Sequence, residues 1–105
     1  MEDTMRIARL ERLTSPVARY LLAREYGTKE RFGESARILE SVGSMESKTL
    51  EFFRLRRLGK VWFELQEFEK AKTTFAQSLP IASNTFLQLE TTEWIERCVW
   101  MEYHK

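Results

Sequence analysis

The stretch Leu55-Arg56-Arg57-Leu58-Gly59-Lys60-Val61-Trp62-Phe63-Glu64-Leu65-Gln66-Glu67-Phe68-Glu69-Lys70-Ala71-Lys72-Thr73-Thr74-Phe75 decides the fold. Its large apolar residues recur at helical intervals, Leu55, Leu58 and Trp62 in one half and Phe68 and Phe75 in the other. Gly59 stands inside the first half, where a glycine costs about 1 kcal/mol against alanine and therefore needs a packing reason.

The sequence on either side is punctuated in the same manner. Thr14-Ser15-Pro16 reads as a hydroxyl N-cap followed by proline at the first helical position. Gly27 with Thr28 and Lys29 reads as a break, and Gly43-Ser44 as a helix stop followed by a new N-cap. Pro80 and then Ser83-Asn84 close one segment and cap another. Gly33 either lies in the turn after Gly27 or opens the next helix. The intervals predict six helices, over about 3–13, 16–26, 34–42, 46–65, 67–79 and 84–105, in an all-α chain. No segment alternates apolar and polar residues as a half-buried strand does.

Self-comparison at a spacing of 36 aligns Leu22 with Leu58, Ala23 with Gly59 and Tyr26 with Trp62. Phe32 falls on Phe68, Ser35 on Ala71 and Leu39 on Phe75. A further step places Trp94 on Leu58, Ile95 on Gly59, Cys98 on Trp62 and Met101 on Leu65. Leu55-x-x-Leu58-Gly59-x-x-Trp62 followed by Phe68-x-x-Ala71-x-x-x-Phe75 resembles a tetratricopeptide repeat, a helix pair of about 34 residues. The resemblance is strongest over about 52–85 and weaker over about 16–49. It implies antiparallel helix hairpins in a right-handed superhelical stack. One domain, 1–105, would then divide into an N-terminal helix (1–14), two repeats (15–49 and 50–83) and a final helix (84–105). Gly59 and Ala71 would let the two helices of a pair approach closely. Ile95 is bulky where the other copies have Ala23 and Gly59, so the last helix is expected to cap the stack.

The resemblance also implies a surface. In the family, first helices of successive pairs line a concave groove in which partner peptides lie. Transferred position by position, the groove is lined by Val17, Tyr20 and Arg24, then Phe53, Arg56, Lys60 and Phe63, then Thr92, Glu96 and Val99. Phe53, Arg56, Lys60 and Phe63 also share one helical stripe. Aromatic rings beside cations suit a peptide or helix with acidic and apolar groups. The alternative is that Phe53 and Phe63 pack against the first or last helix, with Arg56, Arg57 and Lys60 a solvated face. A subset of the family clamps acidic C-terminal tails of heat-shock chaperones with Lys and Asn. The matching positions here hold Tyr20, Arg24 and Arg57, without the Asn residues. Trp100 and Tyr103 form a second candidate surface, either an interface or a fold-back over the stack.

Composition narrows the function classes. The chain has 105 residues, 43% hydrophobic and 31% charged, with a net charge of +1. That balance gives no general attraction for nucleic acid, and the basic run Arg54–Lys60 is followed at once by Glu64, Glu67 and Glu69. No apolar run is long enough for a membrane span, and Met1-Glu2-Asp3-Thr4 lacks a signal-peptide pattern. A soluble cytoplasmic protein is expected. With one Cys, one His and one Asp, neither a metal centre nor a cofactor site is expected. Cys98 reads as a buried core residue, and His104 as a mobile near-terminal one. No glycine-rich phosphate loop is present, and an enzyme is not expected. The reading is therefore an adaptor that binds a protein partner. Its alternatives are a small chaperone that sequesters an amphipathic helix, or a self-associating module.

Overall fold

A computed structural model describes residues 2–104, with side chains from residue 5 onward; the predicted reach of the last helix to Lys105 lies outside the described residues. The helices are α1 (Glu2–Glu11), α2 (Pro16–Thr28), α3 (Phe32–Val42), α4 (Lys48–Glu64), α5 (Phe68–Ser78) and α6 (Thr85–His104). A 3-10 turn at Leu79–Ile81 carries Pro80 between α5 and α6. Each helix packs against the one that follows it, giving an all-α domain of 40 × 31 × 21 Å.

Local chemistry explains most helix ends. Ser15 caps α2, its Oγ accepting from the Ala18 N–H at 3.2 Å, with Pro16 at the first helical position. Asn84 caps α6, its Oδ1 accepting from Leu87 N at 2.8 Å. The cap of α4 is Ser47 rather than Ser44; its Oγ accepts from Leu50 N at 3.3 Å. Just before the cap, the Glu51 carboxylate accepts from Met45 N at 3.0 Å.

Gly27 does not break α2, which runs on to Thr28. The chain reverses instead at Glu30, in the left-handed region at φ 61°. Arg31 N donates to Tyr26 O at 2.9 Å and Glu30 N to Gly27 O at 3.0 Å. The same pair of bonds recurs 36 residues later, from Glu67 N to Trp62 O and from Gln66 N to Phe63 O, both 2.9 Å, with Gln66 at φ 62°. Both are Schellman closures, which satisfy the orphan carbonyls at a helix end. Glycine usually holds the left-handed position; here Glu30 and Gln66 do.

The two hairpins, α2–α3 and α4–α5, also use matching contact points. Ser35 Oγ donates to Ala23 O at 2.8 Å in the first. In the second, a Cβ on Gly59 would lie only 2.8 Å from the Phe75 ring. The hairpins balance volume differently, Ala23 with Leu39 against Gly59 with Phe75, so the bigger ring takes the space of the missing methyl.

Three apolar clusters run through the domain. Ile7, Leu22 and Tyr26 join α1 to α2. Ala23, Ala36, Leu39, Leu58 and Val61 join α2, α3 and α4. Ala71, Phe75 and Cys98 join α5 to α6. One polar tie crosses the second boundary. The buried Arg54 forms a two-pronged pair with Glu51, at 2.8 and 2.9 Å, and donates to Leu39 O at 3.0 Å. It thereby pins the start of α4 to α3.

α6 is the last described helix and packs on α5. Thr91 and Cys98 are buried on its inner side. Its outer side mixes exposed Phe86, Leu89, Val99, Trp100 and Tyr103 with exposed Glu93, Glu96 and Arg97. Among the described residues, no helix is long and apolar enough to cross a membrane.

Candidate partner-binding surface

α4 meets α2 on one flank and α6 on the other, and Lys60 stands where α4 meets α6. Its Nζ lies 5.5 Å from the centre of the Trp94 ring. Trp94 is the hub of this junction. It stacks on Phe75 at 5.4 Å and 14°, meets the Phe63 edge at 5.4 Å and 78°, and carries the Arg97 guanidinium at 4.7 Å. Arg56 Nε donates to Glu90 Oε1 at 2.7 Å, tying α4 to α6 across the same junction.

Cations outnumber anions around Lys60. Burial pushes its pKa down from 10.5, Arg56 pushes it further, Glu90 opposes, and Arg57 and Arg97 add to the fall. Arg57 has no carboxylate within ion-pair distance among the described residues, and Arg24 on α2 is exposed and likewise unpaired. Between α2 and α4 lies a dip of about 160 Å³ lined by Gly27, Phe32, Arg57, Lys60, Val61 and Glu64. An apolar floor of Phe32 and Val61 beside Arg57 and Lys60 is chemically fit for an acidic side chain next to an apolar one.

The residues of the expected groove are distributed unevenly. Tyr20 is half-buried and packs against the Ala23–Leu58 cluster. Phe53 is half-buried, edge-on to Phe52 at 5.4 Å. Arg56 and Phe63 are turned toward α6, Arg56 onto Glu90 and Phe63 onto Trp94 and Phe68. Lys60 remains half-exposed at the rim and Arg24 is fully outside. Arg57 belongs with Lys60 in the dip, although the stripe containing Lys60 does not include it. Its place follows from α4 facing α2 on one flank and α6 on the other, which single-helix periodicity does not reveal.

Trp100 and Tyr103 are exposed, and Trp100 stacks on His104 at 4.0 Å and 19°. Phe86 and Leu89 extend this exposed face toward the start of α6. Phe86 and Leu89 are spaced by three residues, as are Trp100 and Tyr103, and on the same stripe Glu93 and Glu96 separate the two pairs.

Cys98 is fully buried, and its thiol is pushed up to about 11, by burial first and by Glu102 second, with Lys72 opposing. A thiol so held is a poor nucleophile. Among the described residues, no three His, Cys, Asp or Glu side chains cluster as for a metal ion. The chain matches no family model, and no curated protein or solved structure is significantly similar to it.

Proposed function

We propose that this chain is a non-enzymatic protein–protein interaction module of tetratricopeptide-repeat type, a cytoplasmic adaptor whose two hairpins begin a right-handed superhelical stack. Its partner is a protein segment carrying acidic and apolar side chains, held over the α2–α4 dip by Arg24, Arg57 and Lys60. The observation that carries the reading is the excess of positive charge around the half-buried Lys60, whose ammonium is disfavoured in the free protein. A carboxylate from a ligand would relieve that, so the surface gains most from an anionic partner. The repeat reading draws support from the two Schellman turns 36 residues apart and from the close approach of Phe75 to Gly59.

The test is selection of random dodecapeptides displayed on phage against the folded protein, with Arg57→Glu/Lys60→Glu as counter-target. Enrichment of sequences combining Asp or Glu with apolar residues, lost on the counter-target, is expected. Enrichment of acid-free sequences that bind both proteins equally would sink the proposal.

A further inference from the structure

We propose that the Lys60 amine is a site of acylation by small acyl phosphates, drawn in through their phosphate group by the cations beside the α2–α4 dip. Lys60 stands among Arg56 and Arg57 on its own helix and Arg97 on α6, all close enough for their charges to act on it. Glu90 takes Arg56 at 2.7 Å, and Glu93 takes Arg97 at 3.5 Å. Lys60 and Arg57 are left with no carboxylate within ion-pair distance among the described residues, although Glu64 lines the same dip. Lys72 differs, being paired with Glu69 at 3.2 Å and with Glu102 at 3.8 Å.

Three properties of the place suit the reaction. The first is the amine. Only its neutral form attacks a carbonyl, and burial, then Arg56, then the other two cations disfavour the ammonium against the opposing pull of Glu90. The second is the hold on the reagent. Arg57 borders the same dip and has its guanidinium fork free for a phosphate, which keeps the acyl group beside the amine. The third is room. The dip holds about 160 Å³ over an apolar floor of Phe32 and Val61, which suits a short acyl chain. In the reaction the nitrogen lone pair adds to the acyl carbon, and the new C–N bond replaces the C–O bond to phosphate. The electron pair of that bond leaves with inorganic phosphate, and the amine releases one proton to water. The resulting amide is uncharged. Acylation therefore removes one of the three cations assigned to the acidic partner; that consequence rests on the proposed partner, whereas the acylation does not.

The experiment treats the folded protein with acetyl phosphate at about pH 8, where an ordinary lysine is almost wholly protonated. Peptide mass spectrometry follows acetylation of each lysine with time. Lys60 is expected to outpace the exposed Lys48 by about fivefold, a lead that unfolding in urea should abolish. Equal rates in the folded protein, or a lead that persists in urea, overturn the proposal. With p-nitrophenyl acetate, which carries no phosphate, the lead should shrink. A lead of the same size overturns the role given to the cations, and with it acyl phosphate as the favoured donor. Arg57→Gln should slow acetyl phosphate at Lys60 more than it slows p-nitrophenyl acetate; equal slowing overturns the hold assigned to Arg57. Binding of an acidic peptide before and after acetylation reads the consequence separately. Loss on acetylation supports it and retained binding overturns it, while an unmodified protein that binds no acidic peptide counts against the partner reading alone.

Discussion

Phe75 lies across Gly59 so closely that three of its ring carbons would stand 2.8 to 2.9 Å from a methyl group there. The ring has nowhere to retreat, because it is fully buried and stacked on Trp94 from the α6 side. Gly59→Ala therefore sets a helix-propensity gain of about 1 kcal/mol against an overpacking cost of about 1–3 kcal/mol. The expected outcome is a net loss near 1 kcal/mol in urea unfolding. Phe75→Leu in the same background should recover part of it.

Gln66 sits at a left-handed position that costs a side-chain-bearing residue about 1–2 kcal/mol. Gln66→Gly removes that strain while loosening the unfolded chain. A gain of about 0.5–1 kcal/mol is expected, measured as a raised denaturation midpoint with unchanged slope. Glu30→Gly should behave alike, since its turn closes with the same bonds.

Burial alone would raise the Glu51 pKa. The hydrogen bonds from Arg54, Met45 N and Ser44, with the Arg54 charge, outweigh it and hold the carboxyl below 4.5. A depressed carboxyl stabilises the fold fully above its unfolded value and loses that contribution as pH falls through its native value. Urea unfolding of Glu51→Gln should accordingly lose less stability below about pH 5 than the parent does. At neutral pH the variant should be less stable by about 3 kcal/mol, because Arg54 stays buried without its anion.

Lys60 carries the opposite sign. A lysine lowered by folding costs stability while it is charged, and that cost lifts as pH rises through its native value below 10.5. Lys60→Met should stabilise the free protein, by less than about 1 kcal/mol since the group is half-exposed and screened. The same substitution should weaken an acidic peptide. A residue kept only for packing would not give a more stable protein that binds less.

The hairpin architecture was legible because Leu58, Gly59, Phe68 and Phe75 carry it through local spacing and size. So were the caps at Ser15 and Asn84, which act within three residues. The Schellman turns were not, because Glu30 and Gln66 hold a conformation usually given to glycine. Arg54 opens the basic run that ends at Lys60, and nothing in that run marks it out, yet its guanidinium is aimed inward at the Leu39 carbonyl. The partner of Arg56 is Glu90, 34 residues away, and such a pairing has no local signature. The candidate site was half legible for that reason. Periodicity placed Lys60 on a face of α4, while the choice between groove and helix junction depended on where α6 packs.

The most direct measurement is ¹⁵N heteronuclear NMR titration with a display-selected acidic peptide at low and at 0.5 M salt. The account predicts shift changes concentrated on Arg24, Arg57, Lys60 and their neighbours in α2 and α4, with affinity falling steeply at high salt. Shift changes confined to the α3–α5 side, or binding unchanged by salt, would contradict it.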